Sequence, residues 1–386
     1  FFIVVFFFCV LMDIRDEEMR YAIALTMVEG IGPSRAKNLI AFCGSAKAVF
    51  EEKKANLLRI PDIGLHSIRA LKKSNTMHRA ESECLFMEKY QVSPLLYHEA
   101  DYPDRLKLCS DSPVILYTKG VANLNNQFTL SIVGTRSATS YGKSLCLELV
   151  RDLAKLQPLV ISGLAYGIDI CAHRASLQYG VHTIACLAHG LDRIYPPMHS
   201  TVAREIVSCG ALVTEFPSGT NPDRECFPSR NRIIAGMSDC TIVVETDRSG
   251  GSIITAHLAS GYGREVFAFP GRSTDRHSSG CNALIKQNVA AILTSAEDLL
   301  EYMNWSVDGP IKEKQLALFD PLTDEEKSLC KTLQGAGRVH LDRIASQTGM
   351  SLGQCSAMLL ELEFKGAVKS LPGKVYEVHP SLTMVV

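Results

Sequence analysis

Between residues 130 and 303, short apolar runs alternate with stretches of helical periodicity, and this alternation restricts the possible folds most. Most of the runs are apolar throughout, as expected of strands that are buried on both faces. The runs are Leu130–Val133, Leu159–Ser162, Thr183–Leu187, Leu212–Phe216, Thr241–Glu245, Val266–Phe269 and Ala291–Thr294. The helical stretches between them are Tyr141–Leu156, Asp169–Gln178, Thr201–Ser208, Asn231–Met237 and Ser252–Ser260. This order predicts right-handed crossovers and a doubly wound, mostly parallel α/β sheet.

The region before the sheet has a purely helical pattern. Residues 13–90 are rich in Ala, Leu and Lys, and turn residues punctuate them at Gly30–Pro33 and Ile60–Gly64. We therefore expect an all-helical N-terminal domain, followed by an α/β domain over residues 91–305. The Gly30–Gly32 turn resembles a helix-hairpin-helix (SAM-like) loop, whose backbone N–H groups can contact phosphate.

The region after the sheet differs from both. Residues 306–321 are polar and contain two prolines, which predicts a linker. Residues 322–386 combine a helix-turn-helix pattern with two short strands flanking Leu371–Lys374, which predicts a winged helix. Its recognition helix, Ser351–Lys365, contains Glu361 and Glu363 but only one base. Because groove reading needs basic or amide side chains, a protein contact is the better prediction for this helix.

Composition limits the kind of nucleic-acid site that is possible. Lys and Arg total 40 and Asp and Glu total 41, so the formal net charge is −1. A globally basic nucleic-acid-binding protein is thereby excluded, and a DNA site must be a local basic patch. The 13 cysteines include no C-x-x-C pair, which predicts reduced thiols in a cytoplasmic protein and no zinc site.

Residues 1–12 form an apolar run that is too short to span a bilayer. No basic region precedes this run and no small-residue cleavage site follows it, so it is a poor signal peptide. Because the chain begins with Phe1, we interpret the run as translated upstream sequence and expect the start at Met12 or Met19. A membrane anchor is the alternative interpretation.

Three glycine-containing loops follow predicted strands and precede predicted helices. They contain Gly134, Gly163 and the Gly250–Gly251 pair, and the third continues into Ser252 and Thr255. Glycine lets a backbone approach a ligand closely, and a helix N-terminus favours phosphate. The carboxyl ends of parallel strands share one edge, so these loops predict a phosphate-binding edge. The simpler alternative is that each glycine only ends a strand tightly.

Dinucleotide binding and ATP hydrolysis are both disfavoured. The loop after the first strand has one glycine instead of G-x-G-x-x-G, and the next strand ends at Ser162 and Gly163 with no carboxylate for a ribose. The sequence contains no Walker A loop. We therefore expect no cofactor.

The segment from Arg224 to Gly236 is the most informative, because it combines arginines with an aromatic side chain. Guanidinium groups suit bidentate phosphate contacts, and an aromatic ring lets a base stack. The candidates in this segment are Arg224, Phe227, Arg230, Asn231 and Arg232. As alternatives, Arg230 or Arg232 pairs with a local acid such as Asp223, Glu225 or Asp239, and Phe227 packs in the core. Further along the chain, Lys286 is predicted on the first turns of a helix after Gly280.

Five segments, in this order, resemble the DprA/Smf family: Val133–Arg136, Ser162–Asp169, Phe227–Gly236, Gly251–Ala256 and Gly280–Ile285. The resemblance covers roughly residues 102 to 300 and implies a Rossmann-like, non-enzymatic recombination mediator of natural transformation. Such proteins bind incoming single-stranded DNA, dimerise through the Rossmann-like domain and load the RecA recombinase. The resemblance implies that Arg136 and Arg224 line the DNA site with Phe227, and that Arg230, Arg232 and Lys286 support it.

The candidate DNA-binding residues are therefore Arg136, Gly163, Arg224, Phe227, Arg230, Asn231, Arg232, Ser252, Thr255 and Lys286. Two rival functions on the same fold remain open. One is a nucleotide phosphoribohydrolase-like enzyme, although the helix after Gly251 lacks the glutamate that such enzymes need. The other is a sensor that binds a small nucleotide at the same edge.

Overall fold

The structure, a computed structural model, describes residues 15–306 except 74, and residues 323–334, 339–365, 367–371 and 374–378. The described residues form two compact units, the first ending at residue 306 and the second beginning at residue 323. The apolar run 1–12 and most of the predicted linker 306–321 lie outside the described residues. Within the described ranges, no helix is long and apolar enough to cross a bilayer.

The first unit begins with six helices. They are α1 (residues 15–26), α2 (Pro33–Cys43), α3 (Ala46–Glu51), α4 (Lys54–Leu57), α5 (Leu65–Lys73) and α6 (Thr76–Tyr90). Both predicted turns separate helices. Pro33 is the first residue of α2, where its missing N–H costs nothing. Asp62 has a φ of 63°, in the left-handed region that Asp tolerates better than most residues.

A nine-stranded sheet follows. Its strands are β1 (Ser93–Leu96), β2 (Ile115–Gly120), β3 (Thr129–Val133), β4 (Leu159–Ser162), β5 (Thr183–Cys186), β6 (Ala211–Thr214), β7 (Cys240–Val243), β8 (Glu265–Ala268) and β9 (Ala291–Ile292). The spatial order is β1-β2-β6-β5-β4-β3-β7-β8-β9. β3 to β9 are parallel, whereas β2 pairs antiparallel with β1 and β6. The Rossmann-like, mostly parallel sheet is thus confirmed, with two further strands, β1 and β2, that the sequence pattern did not reveal and of which β2 runs against the others.

Helices connect the parallel strands. They are α8 (Ser140–Leu153), α9 (Ile168–Gln178), α10 (Ser200–Cys209), α11 (Cys226–Met237), α12 (Gly251–Gly261) and α13 (Ser279–Lys286), with α7 (Asp104–Lys107) before β2 and α14 (Ala296–Met303) after β9. α11 begins at Cys226 rather than at the predicted Asn231. Pro228 is tolerated because it lies in the first turn, where N–H groups have no helical partner.

The helical part and the sheet share a core. Ile115 and Tyr117 of β2 are buried in the same apolar cluster as the helices α1 to α6. The carboxylate of Glu83, on α6, accepts hydrogen bonds from the Ser218 N–H at 2.9 Å and the Ser218 hydroxyl at 2.6 Å. The described part of the segment predicted as a separate domain, from residue 15 to residue 90, therefore lies in one compact unit with the sheet.

The second unit is a winged helix, as predicted. It contains α15 (Asp324–Gln334), β10 (Val339–His340), α16 (Leu341–Thr348), α17 (Leu352–Phe364), β11 (Val368–Leu371) and β12 (Val375–Val378), with strand order β10-β12-β11. The capping box at Ser351 and Gln354 starts α17. Lys365 Nζ lies 2.7 Å from Glu326 Oε1, so an internal ion pair occupies the single base predicted near this helix.

Candidate nucleic-acid interface

A cleft of about 650 Å³ lies at the carboxyl ends of the central parallel strands. β3 lies between β4 and β7, so the chain direction across the sheet reverses at this point. Crevices of this kind are where doubly wound sheets bind ligands. The loops after β3, β4, β6 and β7 all contribute lining residues.

Two exposed arginines and one aromatic ring form the basic part of this cleft. Arg136 follows β3, and Arg224 precedes α11 together with the half-buried Phe227. The guanidinium carbon of Arg136 lies 5.0 Å from the centroid of the Phe227 ring, a cation–π distance. Among the described residues, neither Arg136 nor Arg224 forms an ion pair. Both guanidinium groups therefore keep their donors available for an anionic ligand.

Two tyrosines extend the aromatic surface beside the cleft, and sequence reasoning missed them. Tyr166 and Tyr195 line a small adjoining pocket with Phe227, and the Tyr195 and Phe227 rings meet edge to face with centroids 6.4 Å apart. The N–H of Tyr195 donates to His189 Nε2 at 3.2 Å, which fixes the loop carrying the ring. The available signal was an aromatic residue before Pro196–Pro197, in the connection that leaves the same sheet edge after β5.

Arg230 lines the cleft but is only 4% exposed. Its Nη1 donates to the carbonyl oxygens of Gly163 and Cys186, the latter at 2.7 Å. A Cβ on Gly163 would lie 2.4 Å from Nη1, so this glycine makes room for Arg230. These contacts give Arg230 and Gly163 a scaffold role, and a direct DNA contact by either residue stays a prediction. In the described residues none of the three alternative acids pairs with Arg230, whose main partners are backbone carbonyls.

Arg232 points away from the cleft. It pairs with Glu215 and donates to the Asp111 carbonyl oxygen. Burial raises the pKa of Glu215 to about 7, against the opposing effect of Arg232. The prediction of a DNA contact by Arg232 is therefore corrected, and its acidic partner is one that the sequence interpretation did not name. The neighbouring Asn231 does line the cleft, and its Oδ1 accepts a hydrogen bond from Arg230 Nε at 3.1 Å.

Lys286 lies apart from the other candidates. It is the last residue of α13, not a first-turn residue, and it is not among the residues lining the cleft. α13 starts at the carboxyl edge, where the Gly280 N–H bonds to the Thr246 carbonyl oxygen at 2.9 Å. Its eight residues rise by about 12 Å along the axis. The prediction that placed Lys286 in the cleft is corrected.

At two of the three predicted phosphate-binding loops, a carboxylate of the protein lies at the N-terminus of the following helix. Glu245 accepts hydrogen bonds from the Thr139 N–H at 2.9 Å and hydroxyl at 2.5 Å, at the N-terminus of α8. Asp169, in the first turn of α9, accepts the Ala165 N–H at 3.4 Å. Burial raises the pKa of Asp169, whereas Arg230 opposes that rise. An additional anion is disfavoured at both positions, which corrects the prediction for the first two loops.

The third loop is open. Ser252 and Thr255 lie on one face of α12, and both line the cleft. Both residues are buried. Across the described ranges, no group of three or more His, Cys, Asp or Glu side chains is arranged to hold a metal ion.

The fold and the cleft define a Rossmann-like protein with a basic, aromatic crevice at its topological switch point and a winged helix after the sheet. A family model described as DNA recombination-mediator protein A matches residues 93–304, more than half of the chain. A second, described as the DprA winged helix domain, matches residues 316–374. The chain belongs to the DprA family.

Individual relatives agree with this assignment. Protein Smf of Escherichia coli is 35% identical, over 70% of this chain and 74% of its own length. The X-ray structure of DNA processing protein A from Streptococcus pneumoniae is similar with a TM-score of 0.60 and 29% identity, covering 73% of this chain and 97% of that chain. A structure of DNA processing protein A from Helicobacter pylori, described for its single-stranded DNA binding mode, is similar with a TM-score of 0.51 and 30% identity. The match covers 55% of this chain and 95% of that chain.

Proposed function

We propose that the cleft binds single-stranded DNA without sequence preference, in a cytoplasmic recombination mediator of natural transformation. The observation that carries this proposal is the placement of Arg136 and Arg224 in one cleft with Phe227. Both arginines are exposed and have no ion pair among the described residues. Phosphates need cations and splayed bases need aromatic faces, and the cleft supplies both. The single-stranded DNA binding described for the Helicobacter pylori relative supports the same ligand.

The double variant Arg136→Ala/Arg224→Ala tests this function. We expect its affinity for a short fluorescent oligo(dT) to fall by at least about a hundredfold, because the two lost charge-assisted contacts contribute about 1.5–3 kcal/mol each. Fluorescence anisotropy, with duplex DNA as competitor, measures the loss. Arg151→Ala/Arg204→Ala is a control of equal charge, because these arginines are exposed and do not line the cleft. Equal affinities of the two double variants would refute the proposed interface.

We infer that the cleft performs no catalysis. The carboxylates that line it are Asp169, which is buried, and Asp247, whose Oδ1 accepts from the Ser249 N–H at 3.0 Å. The first turn of α12 runs Gly251-Ser252-Ile253-Ile254 and offers no acid for a phosphoribohydrolase. Incubation with AMP is expected to release no adenine. Release of adenine would favour the enzymatic alternative.

We also propose that the protein forms a homodimer and delivers DNA to the RecA recombinase. Family membership supports both proposals. The winged helix is proposed as a protein-contact surface, because Lys365 is paired with Glu326. Light scattering after size exclusion checks the dimer. A pull-down with purified RecA, comparing Leu360→Glu on the exposed face of α17 with the unchanged chain, checks the partner surface.

A further inference from the structure

The N-terminus of α12 differs from those of α8 and α9 at the same sheet edge, because no side chain occupies it. Its N-cap residue is Gly250, and no side-chain hydrogen bond caps the helix. Among the described residues, the backbone N–H groups of Gly251 and Ser252 have no hydrogen-bond partner. By contrast, Glu245 lies at α8 and Asp169 at α9. An unoccupied N-terminus presents free donors and the positive end of the helix dipole.

A second observation at the same place points to a ligand. Ser252 is 6% exposed and lines the cleft, yet its hydroxyl has no hydrogen-bond partner in the described part of the chain. A buried hydroxyl without a partner destabilises a protein by about 1–3 kcal/mol. A ligand oxygen in the cleft would give this hydroxyl the acceptor that the protein itself does not provide.

The shape around the first turn also leaves space for a ligand. A Cβ added to Gly251 would meet nothing within 4 Å, whereas one added to Gly142, at the start of α8, would lie 2.2 Å from Glu245 Oε2. The N-termini of α8 and α12, two helices that pack on the same sheet, therefore differ in how much space they leave. The carboxylate of Glu245 occupies the N-terminus of α8, whereas the N-terminus of α12 has a free volume that opens into the cleft.

One carboxylate lies near this volume. Asp247 lines the cleft, and its Oδ1 accepts from the N–H of Ser249 at 3.0 Å and from the Ser249 hydroxyl at 3.2 Å. Its Oδ2 faces Arg276 Nη2 at 3.6 Å. Asp247 is thus engaged with its own loop and partly neutralised, and it forms no hydrogen bond to α12 in the described residues.

We propose that the N–H groups of Gly251 and Ser252, together with the Ser252 hydroxyl, bind one phosphate group, independently of Arg136 and Arg224. This proposal, called the α12 site below, rests on the proposed function when the phosphate belongs to a DNA strand. The same site accepts the phosphate of a free mononucleotide by the same chemistry. Because neutral donors rather than cations bind this phosphate, it adds affinity without adding to the salt dependence.

Gly251→Asp tests the α12 site by giving α12 the internal anion that α8 already has. The carboxylate interacts favourably with the helix dipole, so the thermal midpoint is expected to stay unchanged or to rise. It repels a phosphate a few ångströms away, so affinity for oligo(dT) is expected to fall by about tenfold or more. Gly251→Asn is the matched control, with the same shape and no charge, and should retain most of the affinity.

Ser252→Ala tests the hydroxyl with a readout that separates binding from folding. Removing a hydroxyl that lacks a partner should leave the thermal midpoint unchanged or higher, while affinity falls by about threefold to tenfold. The slope of log affinity against log salt should stay as in the unchanged chain, whereas Arg136→Ala should reduce its magnitude by about 1. Ser260→Ala, at the far end of the same helix, is the control.

Competition experiments distinguish a strand phosphate from the phosphate of a free nucleotide. Unlabelled dTMP competes with labelled oligo(dT), and thymidine, which lacks the phosphate, is the control competitor. Loss of both oligo(dT) and dTMP binding in Gly251→Asp assigns the α12 site to strand phosphate, and loss of dTMP binding alone assigns it to a free nucleotide. Unchanged affinities for both in Gly251→Asp and Ser252→Ala overturn the α12 site, while the proposed function stands if Arg136→Ala/Arg224→Ala still loses oligo(dT). If the unchanged chain binds no oligo(dT), the proposed function fails. The α12 site is then tested by itself: a dTMP-dependent thermal shift that is lost in Gly251→Asp supports it, and a shift that persists overturns it.

Discussion

Two pairs of arginines at the same sheet edge have opposite environments. Arg136 and Arg224 are exposed in the cleft without acidic partners in the described residues. Arg230 and Arg232 lie within one turn of α11, yet the first donates to backbone carbonyls and the second pairs with Glu215. We call these the outer pair and the inner pair. Their shared residue type and shared sheet edge suggested one role for all four arginines. The outer pair keeps its N–H donors free for a ligand, whereas the donors of the inner pair bind groups of the protein itself.

The largest expected effect is on folding, and it comes from the inner pair. Arg230→Ala leaves the Gly163 and Cys186 carbonyl oxygens without that donor and removes the cation that most favours the charged form of the buried Asp169. We expect the free energy of unfolding to fall by about 3–5 kcal/mol, the usual cost of breaking a buried charge network. Urea denaturation measures the change. Arg136→Ala is the comparison and should stay within about 0.5 kcal/mol of the unchanged chain. Similar stabilities for the two variants would remove the distinction between the pairs.

A smaller loss of stability is expected for Arg232→Ala. The change leaves Glu215 buried without its cation, and we expect a loss of about 2 kcal/mol, since Arg232 is less buried than Arg230. Arg232→Ala/Glu215→Gln should recover part of the loss because the unpaired acid is gone, which urea denaturation can check. A double variant no more stable than Arg232→Ala would contradict the role assigned to this ion pair.

The smallest effect is expected for Arg136→Lys, which sharpens the description of the outer pair. Lysine keeps the charge but loses the planar group that lies over Phe227. Binding to oligo(dT) should weaken by about twofold, within the range for exposed cation–π contacts, and the salt slope should not change. Anisotropy titrations over a series of salt concentrations measure both quantities. A change of slope as large as that of Arg136→Ala would show that the ring contact fixes the position of the charge.

Buried periodicity made most of the sheet predictable. β3 to β9 are short apolar runs between helices, and each predicted run overlaps its strand. β1 and β2 escaped prediction for local reasons. β1 is an edge strand of four residues that contains Pro94, and β2 ends in the polar residues Lys119 and Gly120. The other strands were identified by their alternation with long helices. Between β1 and β2 the only helix described is α7, which has four residues.

The site was predictable where the carboxyl ends of strands fix the position of a loop. That rule places Arg136 and the Arg224–Phe227 segment at one edge, and the structure brings them into one cleft. It cannot reveal that Arg230 reaches across to Gly163, because this contact joins distant segments through a buried space. Lys286 was misplaced because the start of α13 was predicted too late, and a shift of one or two turns moves a residue from one edge of a sheet toward the other.

The path of the chain through the sheet determines which segments must come together to form the cleft. From β3 the chain builds β4, β5 and β6 on one side, and α11 then carries it back to β7 on the other side of β3. Arg136 and Ser252 come to line one cleft only through this return, so no single crossover contains the site. An oligonucleotide that binds the completed cleft therefore stabilises the whole closed sheet rather than one loop.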